Sequence, residues 1–446
     1  MRSSKAGAVR AYAVILSAVL FSSTTWASMG NIATTYGVLP YDMATAQALS
    51  LFNTQVSSTY YNPAYLVQDS RGELTGGMFH AEHELRADSQ GGSNPPNRDG
   101  DVLQDEPSQH VLIGMKTDLS DLTKVGHPLY LGFVAGVEKY GQEMLAFESK
   151  TSRQGQYLQY GREPLFLNLG GGTRIWKGLD AGLAARITLH SQAELYTQTD
   201  LAGNTQYEEL NVSAEPDIRG ILGLNMDWGE TFCEDGGCWY DGLEAAFSYR
   251  QSSNTQTSVD ATTVIPGTIP SPGLSLAITT LDSYQPSILA AGASWKNDSW
   301  RVGLTLEQQR WSDLEDEFDG DTIKDQADWN FDDIVIPRIG AEYKLNQHFT
   351  LISGLAYQES PLQNERSLDV NYFDTDRVVL GLGVSAQYQD PWLLAYPVQL
   401  DFGYQYHQLR ERDFELTASN APNNPYETVT AEGDVHVVAG SITLKF

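Results

Sequence analysis

The chain of 446 residues is poor in cysteine, in positive charge and in long apolar runs. Two cysteines exclude a disulfide scaffold, which needs far more of them in far fewer residues. Lys and Arg total 28 against 57 Asp and Glu, a net charge of −29. So acidic a chain offers no basic face to DNA or RNA, and no nucleic-acid partner is expected. The longest apolar run, Ala11 to Phe21, is too short for a transmembrane helix of about 20 residues. No Gly-x-Ser-x-Gly elbow, His-Glu-x-x-His helix or phosphate-binding loop occurs. His110, His190 and His407 read as hydrogen-bonded polar residues, so no enzyme, catalytic residue, cofactor or metal site is expected. Mean hydropathy is negative, as in a soluble protein. A transmembrane barrel scores the same way, because its apolar band is hidden in alternation.

The first 27 residues read as a secretory signal. Arg2, Lys5 and Arg10 form a charged start, Ala11 to Phe21 an apolar core, and Thr25-Trp26-Ala27 a small-residue cleavage site. Cleavage would leave 419 residues with a charge of −32.

Beyond the signal the dominant period is two. Leu179, Ala181, Leu183, Ala185, Ile187 and Leu189 alternate with Asp180, Gly182, Ala184, Arg186, Thr188 and His190. Val378 to Tyr388, Val398 to Tyr406 and Trp300 to Leu306 repeat the pattern. Strict alternation makes one strand face apolar and the other polar or glycine. A β-sandwich alternates too, but its strands run nearer 5–6 residues. Here the runs reach the 9–11 residues of a tilted membrane strand. Connections also alternate in length. Lys296-Asn297-Asp298, Leu345 to His348 and Gly178 to Asp180 are short, whereas 86–108, 140–162, 257–283, 313–333, 359–375 and 413–432 are long. That asymmetry marks an outer-membrane barrel. Fourteen strands are expected, near 72–85, 109–117, 128–139, 163–177, 178–196, 206–228, 242–256, 284–296, 299–312, 334–345, 348–358, 376–389, 397–412 and 433–446. The fold class is therefore all-β: a 14-stranded antiparallel transmembrane β-barrel over 72–446. Residues 28–71 are left over, a segment of the size to fill the lumen.

That segment holds a helix-compatible stretch, Tyr41 to Leu51, followed by Tyr60-Tyr61-Asn62-Pro63-Ala64-Tyr65. Pro63 has no donor N–H and pushes Asn62 to an extended conformation, so Asn-Pro reads as a turn. Farther on stand Trp329-Asn-Phe-Asp-Asp333, Ile336 to Tyr343, Phe349 to Tyr357, Ser360-Pro-Leu362 and Asp374-Thr-Asp-Arg377. The final strand ends Ile442-Thr-Leu444-Lys-Phe446. In order and spacing these pieces resemble the FadL-type outer-membrane transporters of fatty acids and aromatic hydrocarbons.

The resemblance implies a 28–71 hatch bearing Asn62, Pro63 and Ala64, and passive uptake of hydrophobic compounds, foremost long-chain fatty acids. It implies pocket binding and lateral release through a kinked third strand, where Gly132 and Gly136 would flank the gate. The same glycines would alternatively make room for the hatch. Fatty-acid members hold the carboxylate with basic groups, for which Arg186 and Arg338 are the ligand-binding candidates. Each would alternatively pair with a luminal acid such as Glu342 or Asp401. Asp332, where fatty-acid members carry Lys, and Asn31 after Gly30 depart from the pattern and leave room for a neutral alkane or aromatic. The expected partners are the hydrophobic ligand, outer-membrane lipid and lipopolysaccharide, and the barrel-assembly machinery that reads such C-terminal strands. A monomer in the bacterial outer membrane is expected. Porin and adhesion barrels are the readings of another class. Cys233 and Cys238, in a periplasmic turn, read as a structural disulfide. The acidic loop 313–333 reads as solvated, with divalent-cation binding as the alternative.

Overall fold

The structure, a computed structural model, describes residues 31–446 except 93–106, 123, 125, 140–164, 201–204, 234–236, 267, 316–329, 364–365, 369–373, 392–393 and 418–422. The signal segment and most of the acidic loop thus lie outside the described residues. Among the described residues no helix is long and apolar enough to cross a membrane.

Among the described residues seventeen strands form one sheet. In chain order they are β1 (Glu73–Gly91), β2 (Ser108–Asp118), β3 (Leu129–Lys139), β4 (Leu165–Trp176), β5 (Leu179–Thr199), β6 (Thr205–Asp227), β7 (Leu243–Arg250), β8 (Ser253–Ile265), β9 (Ile269–Gln285), β10 (Ser287–Lys296), β11 (Trp300–Arg310), β12 (Ile334–Lys344), β13 (Phe349–Gln358), β14 (Arg366–Leu368), β15 (Arg377–Tyr388), β16 (Val398–Thr417) and β17 (Glu427–Lys445). All but β8, β9 and β14 make the wall, which is antiparallel throughout. It closes where Glu73 to Ala81 pair with both β2 and β17. Closure leaves no open edge, as the bilayer demands of a spanning sheet. The fourteen wall strands coincide with the expected ones to within a few residues at most ends; β1, β16 and β17 run further and β7 stops at Arg250, six residues short.

Alternation sorts the side chains as expected. Leu304, Ile339, Leu382, Phe402 and Ile442 face outward and are exposed, forming the lipid-facing belt. Arg186, Glu307, Arg338 and Asp401 face inward and are buried. At the end with the short turns, Trp176, Trp295, Trp300, Phe349 and Phe446 form an aromatic rim, as at a membrane interface. Both barrel termini meet there: the amide of Gly72 donates to Phe446 O at 2.7 Å and that of Phe446 to Gly72 O at 3.0 Å.

Residues 31–71 fill the lumen with short helical turns: α1 (Ile32–Thr35), α2 (Pro40–Ala44) and α3 (Ser58–Tyr61), plus 3-10 turns at Ser50–Phe52 and Pro63–Gln68. The helix-compatible stretch is shorter than expected. Ala46 and Gln47 adopt positive φ and break it, and Gln47 Nε2 donates instead to Thr34 O and Thr35 O. Bare luminal glycines receive this hatch. Gly303, Gly340, Gly354 and Gly381 stand opposite one another on β11, β12, β13 and β15. Gly172, Gly182 and Gly223 do the same on β4, β5 and β6. A Cβ on Gly354 would overlap Thr45 O, and one on Gly381 would overlap Ala44 O. On the other side, Gly182 and Gly223 lie against Asn62-Pro63-Ala64. Backbone packs directly on backbone, a role glycine alone fills.

The wall seat predicts that Gly354→Val lifts the hatch, at an overpacking cost of about 1–3 kcal/mol. The barrel should still assemble but conduct ions in planar bilayers. Gly440→Val, whose Cβ would meet nothing within 4 Å, should stay silent. Equal silence from both variants contradicts the seat.

Candidate functional site: the luminal polar node and its apolar cap

Two layers meet above the hatch. The lower layer is a charged node. Glu307, on the inward phase of β11, accepts from Arg250 Nη2 at 2.5 Å, Arg338 Nη2 at 3.3 Å and Gln309 Nε2 at 2.7 Å. Arg338 also donates to hatch carbonyl Ala46 O at 3.1 Å. Arg250 stacks on hatch rings, 4.9 Å from the Tyr60 centroid and 5.3 Å from Tyr61. Arg186, on β5, pairs with Glu138 of β3 at 3.5 Å and lies over Tyr60 and Phe166. The hatch's first described residue belongs here too: Asn31 Nδ2 and Tyr60 OH both donate to Gln285.

The upper layer is apolar. Trp311, Leu314, Phe331, Leu362, Phe414 and Leu416 come from the long-loop end and form one buried cluster with Ile32, Tyr36 and Met43 of the hatch. Gln309 ties the layers, accepting from Trp311 Nε1 at 2.8 Å while it donates to Glu307. An apolar column therefore reaches from the extracellular side to the hatch, beside a charged wall.

Below, the hatch is clamped to the short-turn rim. Glu244 accepts from Tyr65 OH (3.0 Å), Lys296 Nζ (2.6 Å) and Arg301 Nη2 (3.1 Å). Asp69 pairs with Arg71 at 2.7 Å and Lys445 at 3.2 Å, and Lys116 Nζ donates to Thr54 O and Asp69 O. Tyr41 OH donates to Glu342. Beside these clamps lies a cavity of about 380 Å³ lined by Tyr41, Phe52, Asp69, Arg301, Glu342 and Lys445. Its charged lining suits water rather than hydrocarbon.

Each residue singled out from sequence has a definite place. Asn62 is extended, with φ −157° and ψ 90°. Its Oδ1 accepts from Ala64 N, while Nδ2 donates to Leu51 O and Leu224 O. Asn62, Pro63 and Ala64 thus join the hatch to the wall. Arg186 and Arg338 both face the lumen and both have acid partners, Glu138 and Glu307, instead of Glu342 or Asp401. Among the described residues no break in pairing marks the kink expected in the third strand. β3 pairs in unbroken register with β2 and with β4, so Gly132 and Gly136 flank no opening. A Cβ on Gly132 would overlap Thr59 of the hatch, and one on Gly136 would overlap the Phe166 ring. Both glycines give neighbours room. Asp332 is exposed, beside the buried Phe331. Cys233 and Cys238 form a disulfide in the turn after α4 (Trp228–Phe232). Sequence reading missed Arg250, Glu138 and Glu307. Their signal was a charge on the inward phase of an alternating strand.

A closed, internally plugged barrel with an apolar extracellular cap is an uptake channel of the bacterial outer membrane for hydrophobic compounds. A family model described as outer membrane protein transport protein (OMPP1/FadL/TodX) matches residues 244–446. The chain is 56% identical over 446 residues to alkane uptake protein A of Marinobacter nauticus, covering 98% of this chain and 97% of that one. The chain belongs to the FadL/TodX family of outer-membrane transport proteins, whose members are transport channels. Solved structures share the fold. A Pseudomonas aeruginosa FadL homologue superposes with a TM-score of 0.58 at 14% identity, covering 94% of this chain and 99% of that one. The P. putida toluene transporter TodX gives 0.51 at 12% identity, covering 92% and 99%. The CymD monoaromatic hydrocarbon channel gives 0.51 at 14% identity, covering 94% and 99%.

The ionisation of Asp69 should link the rim clamp to pH. Burial pushes the Asp69 carboxyl up, but the hydrogen bond from Arg71 and the charges of Lys445 and Lys116 outweigh it and hold it well below the usual carboxylate range. A carboxyl lowered in the folded state stabilises above its unfolded pKa of about 4 and loses that effect as pH falls further. Hydrogen exchange over residues 69–72, corrected for intrinsic rate, should rise at pH 3 relative to pH 7. Asp69→Asn should exceed the wild-type rate at both pH values and change less between them; wild-type protection in that variant at pH 7 contradicts the clamp.

Proposed function

We propose that the chain takes up neutral long-chain hydrocarbons, alkanes above all, across the outer membrane. The observation that carries this reading is the acid pairing of the luminal arginines. A carboxylate ligand needs a guanidinium ready for two hydrogen bonds. Here Arg250 and Arg338 converge on Glu307, and Arg186 faces Glu138. An alkane asks nothing of these charges and gains only from leaving water for an apolar surface, at about 25 cal/mol per Å². The column from Trp311 to Tyr36 offers that surface. The name of the 56% identical relative, an alkane uptake protein, supports the same substrate class.

On this reading an alkane enters by parting the Trp311–Phe331 cluster, slides between the hatch and the wall, and passes when the rim clamps at Glu244 and Asp69 loosen. The glycine seat leaves no room for passage while the hatch is docked. One observation favours long-chain fatty acids instead. Arg186, Arg250 and Arg338 face two glutamates, Glu138 and Glu307, which leaves an excess of one positive charge among the five.

Uptake of labelled n-hexadecane and oleate by cells carrying the protein separates the readings. The expected result is hexadecane uptake well above the vector control and little or no gain for oleate. Glu307→Gln, which frees two arginines, should raise oleate uptake several-fold. It should also destabilise the barrel by about 3–5 kcal/mol, as breaking a buried pair does. Wild-type protein that takes up oleate and excludes hexadecane overturns the proposal.

A further inference from the structure

Among the described residues the ladder between β12 and β13 stops early. Lys344 to Arg338 pair with Thr350 to Ala356, and there the register ends. Both strands continue past that point, each paired on one side alone. Ile334 to Pro337 keep their partners on β11, and Tyr357 and Gln358 keep theirs on β15. The cause is in the sequence. Pro337, next to Arg338, has no N–H to give to a ladder, and proline in a sheet sits at an edge or a break. The strands meet again at the cap, where Phe331 bridges Leu362 and the amide of Asp332 donates to Pro361 O at 2.8 Å. Between those points each bank is tied to its own side. Asp333 accepts from the amide and the hydroxyl of Ser312, at 3.2 and 2.7 Å. Across the break, Asp376 accepts from Tyr357 OH at 2.7 Å and from the amide of Ser360 at 3.0 Å.

The break opens at the upper edge of the lipid-facing belt. Pro337 stands opposite Leu306, the last outward apolar residue of β11 before Gln308 and Arg310. On the outside the break is flanked by Pro337, Tyr357 and Val335, the last 51% exposed. On the inside it is flanked by Ile334, Ile336 and Ala356, which share the buried cap cluster with Phe331 and Leu362. Apolar surface thus runs from the outer leaflet, across the missing rungs, into the column above the hatch. A molecule passing a paired seam has to break backbone hydrogen bonds that hydrocarbon cannot replace. Here it has only side chains to part. We infer that the β12–β13 break is a side entrance, through which a neutral hydrocarbon dissolved in the outer leaflet passes between Pro337 and Tyr357 into the apolar cap. Charge at the outer lip fits the same cargo. Asp332, Asp333 and Glu359 are exposed there and outnumber Arg410, which lies over the Tyr357 ring, so an anionic head group is repelled. The inference rests on the alkane reading for its cargo and adds a route through the wall.

Val335→Cys combined with Glu359→Cys places one thiol on each bank, both at exposed positions. The native cysteines are joined to each other and do not compete. A short bifunctional thiol cross-linker then ties the break shut, and the same protein before cross-linking is its own folding control. Leu304→Cys combined with Ile339→Cys, opposite each other on the intact β11–β12 seam, takes the same linker as a comparison. In outer-membrane vesicles loaded with a diazirine-bearing n-alkane, light should attach the label to Ile336 and Leu362 before cross-linking. Closing the break should cut that labelling, and hexadecane uptake by cells, several-fold. Labelling of Leu382 in the belt should stay constant, and the comparison pair should change neither readout. Labelling of Ile336 and Leu362 that is absent from the start, or that the linker across the break leaves unchanged, overturns the inference. Labelling that responds to the linker in a protein whose cells take up no hexadecane supports the entrance and counts against the uptake reading alone.

Discussion

In the hydrocarbon core no water is present to complete a backbone hydrogen bond, so every wall strand must be paired on both sides. Closure of β1 on β17 meets that demand, and the rest of the molecule follows from it. A closed ring of fourteen strands encloses a lumen too wide for its own side chains to fill. The hatch fills it, and glycines on strand after strand let hatch backbone lie directly against wall backbone. The barrel therefore works as a stoppered tube, and transport becomes a question of how the stopper loosens.

The lumen's electrostatics follow from the same filling. Charges brought inside must be paired, because burying an unpaired ion is costly. Glu307 pairs two of the arginines and Glu244 pairs Lys296 and Arg301, but of the two only Glu307 reaches toward the extracellular cap. It holds two arginines, one of which grips the hatch, and through Gln309 it reaches Trp311 in the extracellular cap. Cap, wall and hatch thus share one carboxylate. On the alkane reading proposed above, a ligand without charge would cross such a node without disturbing it, whereas a carboxylate would have to compete with Glu307 for its arginines.

Most of the architecture was legible in the sequence because a barrel writes its inward and outward faces at alternate positions. Leu179 to Leu189 and Val398 to Tyr406 gave their strands directly, and Asn62-Pro63 announced its turn through proline stereochemistry. What was not legible depends on contacts between distant segments. Residues 257–283 read as a loop because β8 and β9 owe their order to pairing with each other and to a parallel register against β5. The break at Ala46 and Gln47 answers to the wall glycine facing Thr45, some 300 residues away. Gly132 and Gly136 were identifiable as luminal glycines, yet only the packed hatch and the Phe166 ring tell which neighbours they make room for. Arg186 and Arg338 were found by phase. Their partners, on β3 and β11, could not be assigned without knowing which strands are neighbours.

The central claim is that a hatch-stoppered lumen with paired arginines selects an uncharged chain. Native mass spectrometry of the purified protein after incubation with equimolar n-hexadecane and oleate tests it most directly. The account predicts an adduct at the mass of one or more alkane molecules, with oleate scarcely retained. Retention of oleate in preference to hexadecane, lost on Arg338→Gln, would contradict it.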